Sequence, residues 1–69
     1  MQAGRRKRIA SRLRRLREKA GLTQTEAAWR LDVTNVHLCQ VELGNQNASD
    51  GLLEKAARLY GVRYGDLVN

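Results

Sequence analysis

Cys39 is the only cysteine in a chain of 69 residues, and that solitary thiol narrows the available folds more than any other feature. A domain this short holds one small core. Small domains commonly rely on disulfides, a metal, oligomerisation or closely packed helices. A bridge within the monomer is excluded, and a lone thiol fits a reducing, cytoplasmic setting. The chain has neither proline nor phenylalanine, and Ala, Leu, Arg and Glu dominate it. The expected solution is therefore packed helices and an all-α domain. No apolar run approaches the roughly 18 residues of a membrane span. No apolar segment follows the basic N-terminus to make a secretory signal.

Hydrophobic spacing places the helices. Ile9, Leu13, Leu16 and Ala20 recur at intervals of four, three and four, one stripe of an amphipathic helix with arginines around the rest. Gly21 stops it. Thr23 and Glu26 form a T-x-x-E capping box that opens a second helix, which buries Ala27, Ala28 and Leu31 while Trp29 covers part of a flank. Thr34 caps a third helix, with Val33 placed to pack on Leu38 as a hydrophobic staple. Leu38 and Val41 face inward, and Gly44 ends that helix. The polar stretch "NQNAS" leads to Ser49, the cap of a fourth helix carrying Leu52, Leu53, Ala56, Ala57, Leu59 and Tyr60 and stopped by Gly61. "VRYGDLVN" adds a final helical turn that brings Val62, Leu67 and Val68 to the core. The architecture is five short helices, with residues 1–8 as a basic N-terminal arm and residues 9–69 as the folded domain.

The net charge of +6 is unevenly placed. Residues 1–19 hold nine basic side chains against Glu18 alone, whereas residues 20–69 hold four basic and six acidic ones. Such a block suits an anionic partner, nucleic acid or a membrane surface, or is simply a solvated helix face. "VTNVHLCQVELGNQN", Val33 to Asn47, contains no lysine or arginine at all. The tight "DV" turn makes the second and third helices cross steeply and leaves one side of the third exposed. Asn35, Val36, Cys39, Gln40 and Leu43 share that side, opposite Leu38 and Val41. Amides can pair bidentately with adenine, and aliphatic groups can meet a thymine methyl. The neutral face is equipped to read a major groove, while charge elsewhere meets phosphate. Other chemistry finds little footing. His37 and Cys39 point to different sides of a helix, and no further Cys or His completes a zinc site. Cys39 has no basic neighbour in its helix to activate it. No glycine-rich phosphate loop and no paired carboxylates are present, so neither enzymatic activity nor a cofactor is expected.

The run "GLTQTEAA", the "VELG" after the third helix and the "LYGV…DLV" ending resemble, in order and interval, the Xre/Cro family of helix-turn-helix regulators. The likeness runs from about Ile9 to Val68, and the fold is that of phage repressor DNA-binding domains. It implies a sequence-specific transcriptional regulator that binds double-stranded DNA as a homodimer. It places Gln24 and Thr23 at phosphate, Asn35, Val36 and Gln40 at bases with Cys39 on the same face, and Arg17 in an ion pair with Glu42. Further phosphate contacts are expected from Arg6, Arg8, Arg14, Arg17, Asn45 and Asn47. Apart from the resemblance, the fourth-to-fifth helix region, with Tyr60, Arg63, Tyr64 and Leu67, is expected to form the dimer surface. The chain departs from the family where Asp32 replaces the usual glycine and Ala27 the usual leucine. Its loop at Asn45, Gln46 and Asn47 is also neutral where the family's is often basic, which shifts the phosphate grip toward Arg5 to Arg8 and Arg14. That neutral loop points to an alternative: a protein-binding antitoxin or adaptor of the same fold, with DNA binding secondary or absent. Membrane contact by the first helix is disfavoured, because Ile9, Leu13 and Leu16 belong in the core.

Overall fold

A computed structural model describes residues 2–69, with side chains from residue 4 onward. It contains α1 (Gln2–Lys19), α2 (Gln24–Leu31), α3 (Asn35–Leu43), α4 (Asp50–Tyr60) and α5 (Tyr64–Val68), with no strand among the described residues. The fold is all-α, with the five helices that the spacing predicts.

Local hydrogen bonds explain where the helices begin. Thr23 Oγ1 accepts from the Glu26 N–H at 3.1 Å, and the Thr23 N–H donates to Glu26 Oε1 at 2.9 Å. These two bonds satisfy donors that a helix N-terminus leaves unpaired. They also hold the Glu26 carboxyl below its ordinary range, chiefly through the Thr23 backbone. Thr34 and Ser49 accept from His37 N–H and Leu52 N–H at 3.0 and 3.1 Å and start α3 and α4 in the same way.

The turn between α2 and α3 depends on Asp32, the one non-glycine residue with positive φ among those described, at 60°. Its N–H returns to the Trp29 carbonyl at 3.2 Å. Aspartate adopts this left-handed conformation more readily than most residues, at some energetic expense. Gly44, φ 81°, ends α3 under closer constraint. A Cβ there would lie 3.0 Å from Lys7 Cγ, so α1 passes directly over this turn.

The core gathers Ile9 and Leu13 from α1, Leu31 from α2, Leu38 and Val41 from α3, Leu52 and Leu53 from α4, and Leu67 from α5. Ala27 and Ala28 are buried and let α2 approach closely, and Ala10 joins from α1. Val33 is half-buried against this cluster.

Several expectations need correction. Helix α1 starts at Gln2 rather than near Ile9. The stretch set apart as an arm is, from residue 2, continuous with the first helix, because arginine and lysine favour helix and no proline interrupts them. Ala20 lies beyond the helix end and is exposed. Trp29 is 84 % exposed and covers no core flank. On an eight-residue helix that turns Ala27, Ala28 and Leu31 inward, position 29 lies about 150° around the axis from the buried arc. Leu67 is 0 % exposed and cannot belong to a dimer surface. In a five-residue helix it is the buried anchor, and its carbonyl accepts from Arg12 Nη1 at 3.1 Å.

Replacing Asp32 by glycine should relieve the left-handed backbone and raise stability by roughly 0.5–1 kcal/mol. The exposed Asp32–Lys55 pair at 3.8 Å contributes little against that. The readout is the midpoint of urea unfolding, and a lowered midpoint would refute strain at this turn.

Candidate nucleic-acid interface

One buried charge fixes the orientation of α3. Glu42 lies near the end of that helix with its side chain 2 % exposed. Arg17 Nε donates to its two carboxylate oxygens at 3.0 and 2.9 Å, and Arg17 Nη1 donates to the Leu22 carbonyl at 3.0 Å. Gln24 Nε2 adds a bond to Glu42 Oε1 at 3.1 Å. The hydrogen bond to Glu42 raises the Arg17 pKa, with desolvation opposing. One N–H of the Gln24 amide, the group expected at phosphate, thus goes to Glu42, and its second N–H is not used by that bond. A carboxylate removed from water takes up whatever donors lie near it. Thr23, committed to its capping box, remains exposed.

Tyr60 lies near this pair. It is half-buried rather than part of an open dimer surface, and its hydroxyl is enclosed without a hydrogen-bond partner. Burial first, and the Glu42 charge second, push that hydroxyl up to about 12, with Arg17 pulling the other way.

The opposite side of α3 faces outward. Val36 is 72 % and Leu43 55 % exposed, Asn35 is exposed, and Cys39 and Gln40 are half-buried beside them. The structure thus brings the five residues of the neutral face together. Gln40 Oε1 accepts from Asn45 Nδ2 at 3.0 Å, which leaves Gln40 Nε2 as the donor free to meet a ligand. The Asn45 carbonyl in turn accepts from Arg6 Nη1 at 3.2 Å. His37 Nδ1 lies 2.7 Å from Gln46 Oε1, a contact that requires the imidazole to donate.

Sequence reasoning missed these loop amides as holders of α3 side chains. The helix stop contains the signal. Gly44 in the left-handed conformation returns the Asn45 N–H to the Gln40 carbonyl at 3.0 Å, which sets residue 45 over residue 40.

The basic residues divide. Arg6 and Lys7 reach the turn after α3, and Arg5, Arg6, Ile9, Asn47 and Ala48 line a hollow of about 260 Å³. Arg6 Nε is buried without a partner. Arg14 pairs with Glu18 at 3.4 Å on the surface. Arg8, two residues beyond Arg6, projects to another side of α1 and does not join the group. Arg63 is exposed, and the Tyr64 hydroxyl donates to Asp50 Oδ1 at 2.8 Å, a bond that raises the Tyr64 pKa.

A family model described as a helix-turn-helix domain, of the Xre/Cro-like clan, matches residues 8–69. No curated protein matches the chain. No helix among the described residues is long and apolar enough to cross a membrane.

Truncating Arg17 to alanine should cost roughly 3–5 kcal/mol, because Glu42 is left charged and buried without its main partner. Chemical denaturation provides the test, and a loss below 1 kcal/mol would mean that the pair is dispensable. Tyr60 supplies a pH test. Its folded pKa lies above the unfolded value near 10, so its contribution is intact below pH 10 and lost as pH rises from 10 to about 12. Tyr60→Phe should be nearly neutral at pH 7 and should lessen the alkaline decline in stability over that window. An unchanged alkaline decline would remove Tyr60 as a cause.

Proposed function

Because the chain belongs to the helix-turn-helix domain family, we propose that it is a sequence-specific, DNA-binding transcriptional regulator of Xre/Cro type. It acts in the cytoplasm, without catalysis or cofactor. One observation carries this reading: the only outward face of α3 is uncharged and offers Asn35, Val36, Cys39, Gln40 and Leu43 side by side. A face of amides and methyls has little to offer phosphate and much to offer base edges. Arg6 and Lys7, which border the turn after α3, support this reading by putting cations beside the neutral face.

Asn45 gives Gln40 a defined orientation before DNA arrives. With Oε1 engaged, Nε2 points onward as a donor to a purine N7 or O6, and the second lone pair of Oε1 remains for an adenine amino group. A module of this size buries limited surface, so it acts as a two-fold dimer, with the two α3 helices entering successive major grooves about 34 Å apart. Arg63 and Tyr64 are the surviving candidates for the dimer contact.

One observation favours a second reading, a protein-binding antitoxin or adaptor. Trp29 stands almost fully in solvent on α2, and exposed tryptophan is characteristic of interface anchors. Stoichiometric co-purification of a protein through Trp29, with no retention on DNA at moderate salt, would replace the first reading by this one.

Selection of bound sites from random duplex DNA should return a two-fold symmetric motif with half-sites about 10 base pairs apart. Gln40→Ala should then lose roughly 1–3 kcal/mol of discrimination at one base pair of each half-site. Asn45→Ala should lose part of the same discrimination at the same pair. A wild type that binds the selected and scrambled duplexes equally would falsify direct reading by α3.

A further inference from the structure

Helix α1 carries nine cations, and only some of them serve its junction with α3. Arg17 is bound to Glu42, Arg6 to the Asn45 carbonyl, Lys7 packs over Gly44, Arg5 lines the hollow beside Asn47 and Ala48, and Arg14 pairs with Glu18. Arg8, Arg12, Arg15 and Lys19 recur at intervals of four, three and four. At 100° per residue they fall within an arc of about 60°, centred about 160° around the helix from Arg6, Lys7, Arg14 and Arg17. Arg8, Arg15 and Lys19 are exposed, and none of the four takes part in an ion pair among the described residues. Arg12 is anchored to the Leu67 carbonyl at 3.1 Å, which sets this ridge beside α5. The nearby charges of α5 and its cap are Asp66, whose carboxylate accepts from the Arg63 N–H, and Arg63 itself.

With Arg6, Lys7 and Arg17 turned toward α3 and the loop after it, this ridge lies on the side of α1 away from them. The geometry points to a second binding site on the ridge, for the phosphate backbone of a duplex other than the one α3 holds, so that one protein molecule can bridge two DNA segments. Its chemistry matches. The four cations span about 16 Å, a length over which a B-form duplex presents about ten phosphates. From residue 4 to residue 19 no apolar side chain falls within the arc. Protein partners and lipid surfaces both draw on apolar anchors, whereas a phosphate backbone needs only regularly placed cations, with guanidinium best suited. The inference rests on the preceding reading only for the identity of the first duplex.

The test fixes on beads a duplex that α3 binds, saturates it with full-length protein, washes, and offers a fluorescent duplex of unrelated sequence. The wild type should retain the second duplex. The triple variant Arg8→Gln/Arg15→Gln/Lys19→Gln should retain about tenfold less, with a salt slope for the second duplex reduced by about 3. Its preference for the first duplex over a scrambled one should be unchanged. Arg8→Lys/Arg15→Lys, which keeps the charge, should retain bridging. Equal retention by wild type and triple variant, as two α3 faces of a dimer would give, overturns the proposal. Capture of the first duplex by the wild type with no second one overturns it while sparing the reading of α3. Failure to bind any duplex removes both. Polyglutamate binding that depends on these three residues, without a second duplex, assigns the ridge to an acidic protein and likewise overturns it.

Discussion

The ion pair between Arg17 and Glu42 is the constraint from which the arrangement of the other helices follows. A carboxylate withdrawn from water costs several kcal/mol unless its oxygens are met by donors in good geometry. Here those donors come from α1 (Arg17) and the first residue of α2 (Gln24), with half-buried Tyr60 of α4 nearby. Such a pair contributes little net stability compared with well-packed apolar side chains. Its effect is on geometry: few relative positions of α1, α2 and α3 satisfy Glu42, and apolar packing alone would accept many. The outward face of α3 inherits its direction from that restriction.

The absence of charge on α3 and its following loop has a local physical reason beyond what the face meets. Asn45 and Gln46 orient Gln40 and His37. A lysine at either position would offer only donors and could not act as Gln46 does, accepting from an imidazole. It would also place a cation beside the uncharged outward face of α3, attracting any phosphate whatever the sequence. The neutral loop is therefore part of how α3 is presented, and the cations that a basic loop would carry stand on α1 instead.

Much of this is legible in the sequence. Capping residues, glycine stops and apolar spacing are local properties, so Thr23, Thr34, Ser49 and Gly44 mark element ends directly. The left-handed backbone at Asp32 is signalled only through the family resemblance, which puts a glycine at that turn. Where the reading failed, the deciding force was tertiary. Trp29 looks like a core residue by type, but α2 already fills its buried arc with two alanines and Leu31. Spacing already assigns Leu67 to the core, and its complete burial removes only its second assignment, to a dimer surface. Gln24 gains a partner that the sequence did not suggest, a buried carboxylate 18 positions away. No pattern within a single helix reports that contact.

Helix α1 carries more positive charge than its fold requires, and the excess is placed unfavourably. Its first turn contains no acidic residue, and Arg5 to Arg8 lie near the end of the helix dipole that repels cations. Arg8 with Arg12, and Arg15 with Lys19, are like charges four apart, each pair costing a few tenths of a kcal/mol in an isolated helix. Only Lys19 and Arg17, in the last turn, complement the dipole. Folding by itself gives no reason to keep such an arrangement. Glutamate or glutamine at those exposed positions would make an equally good helix with less repulsion. A polyanion reverses the balance, since each repulsive neighbour then becomes a second contact to the same chain of phosphates. The charge pattern of α1 is thus intelligible as a property of the bound state, while the packing of its opposite side belongs to the free protein.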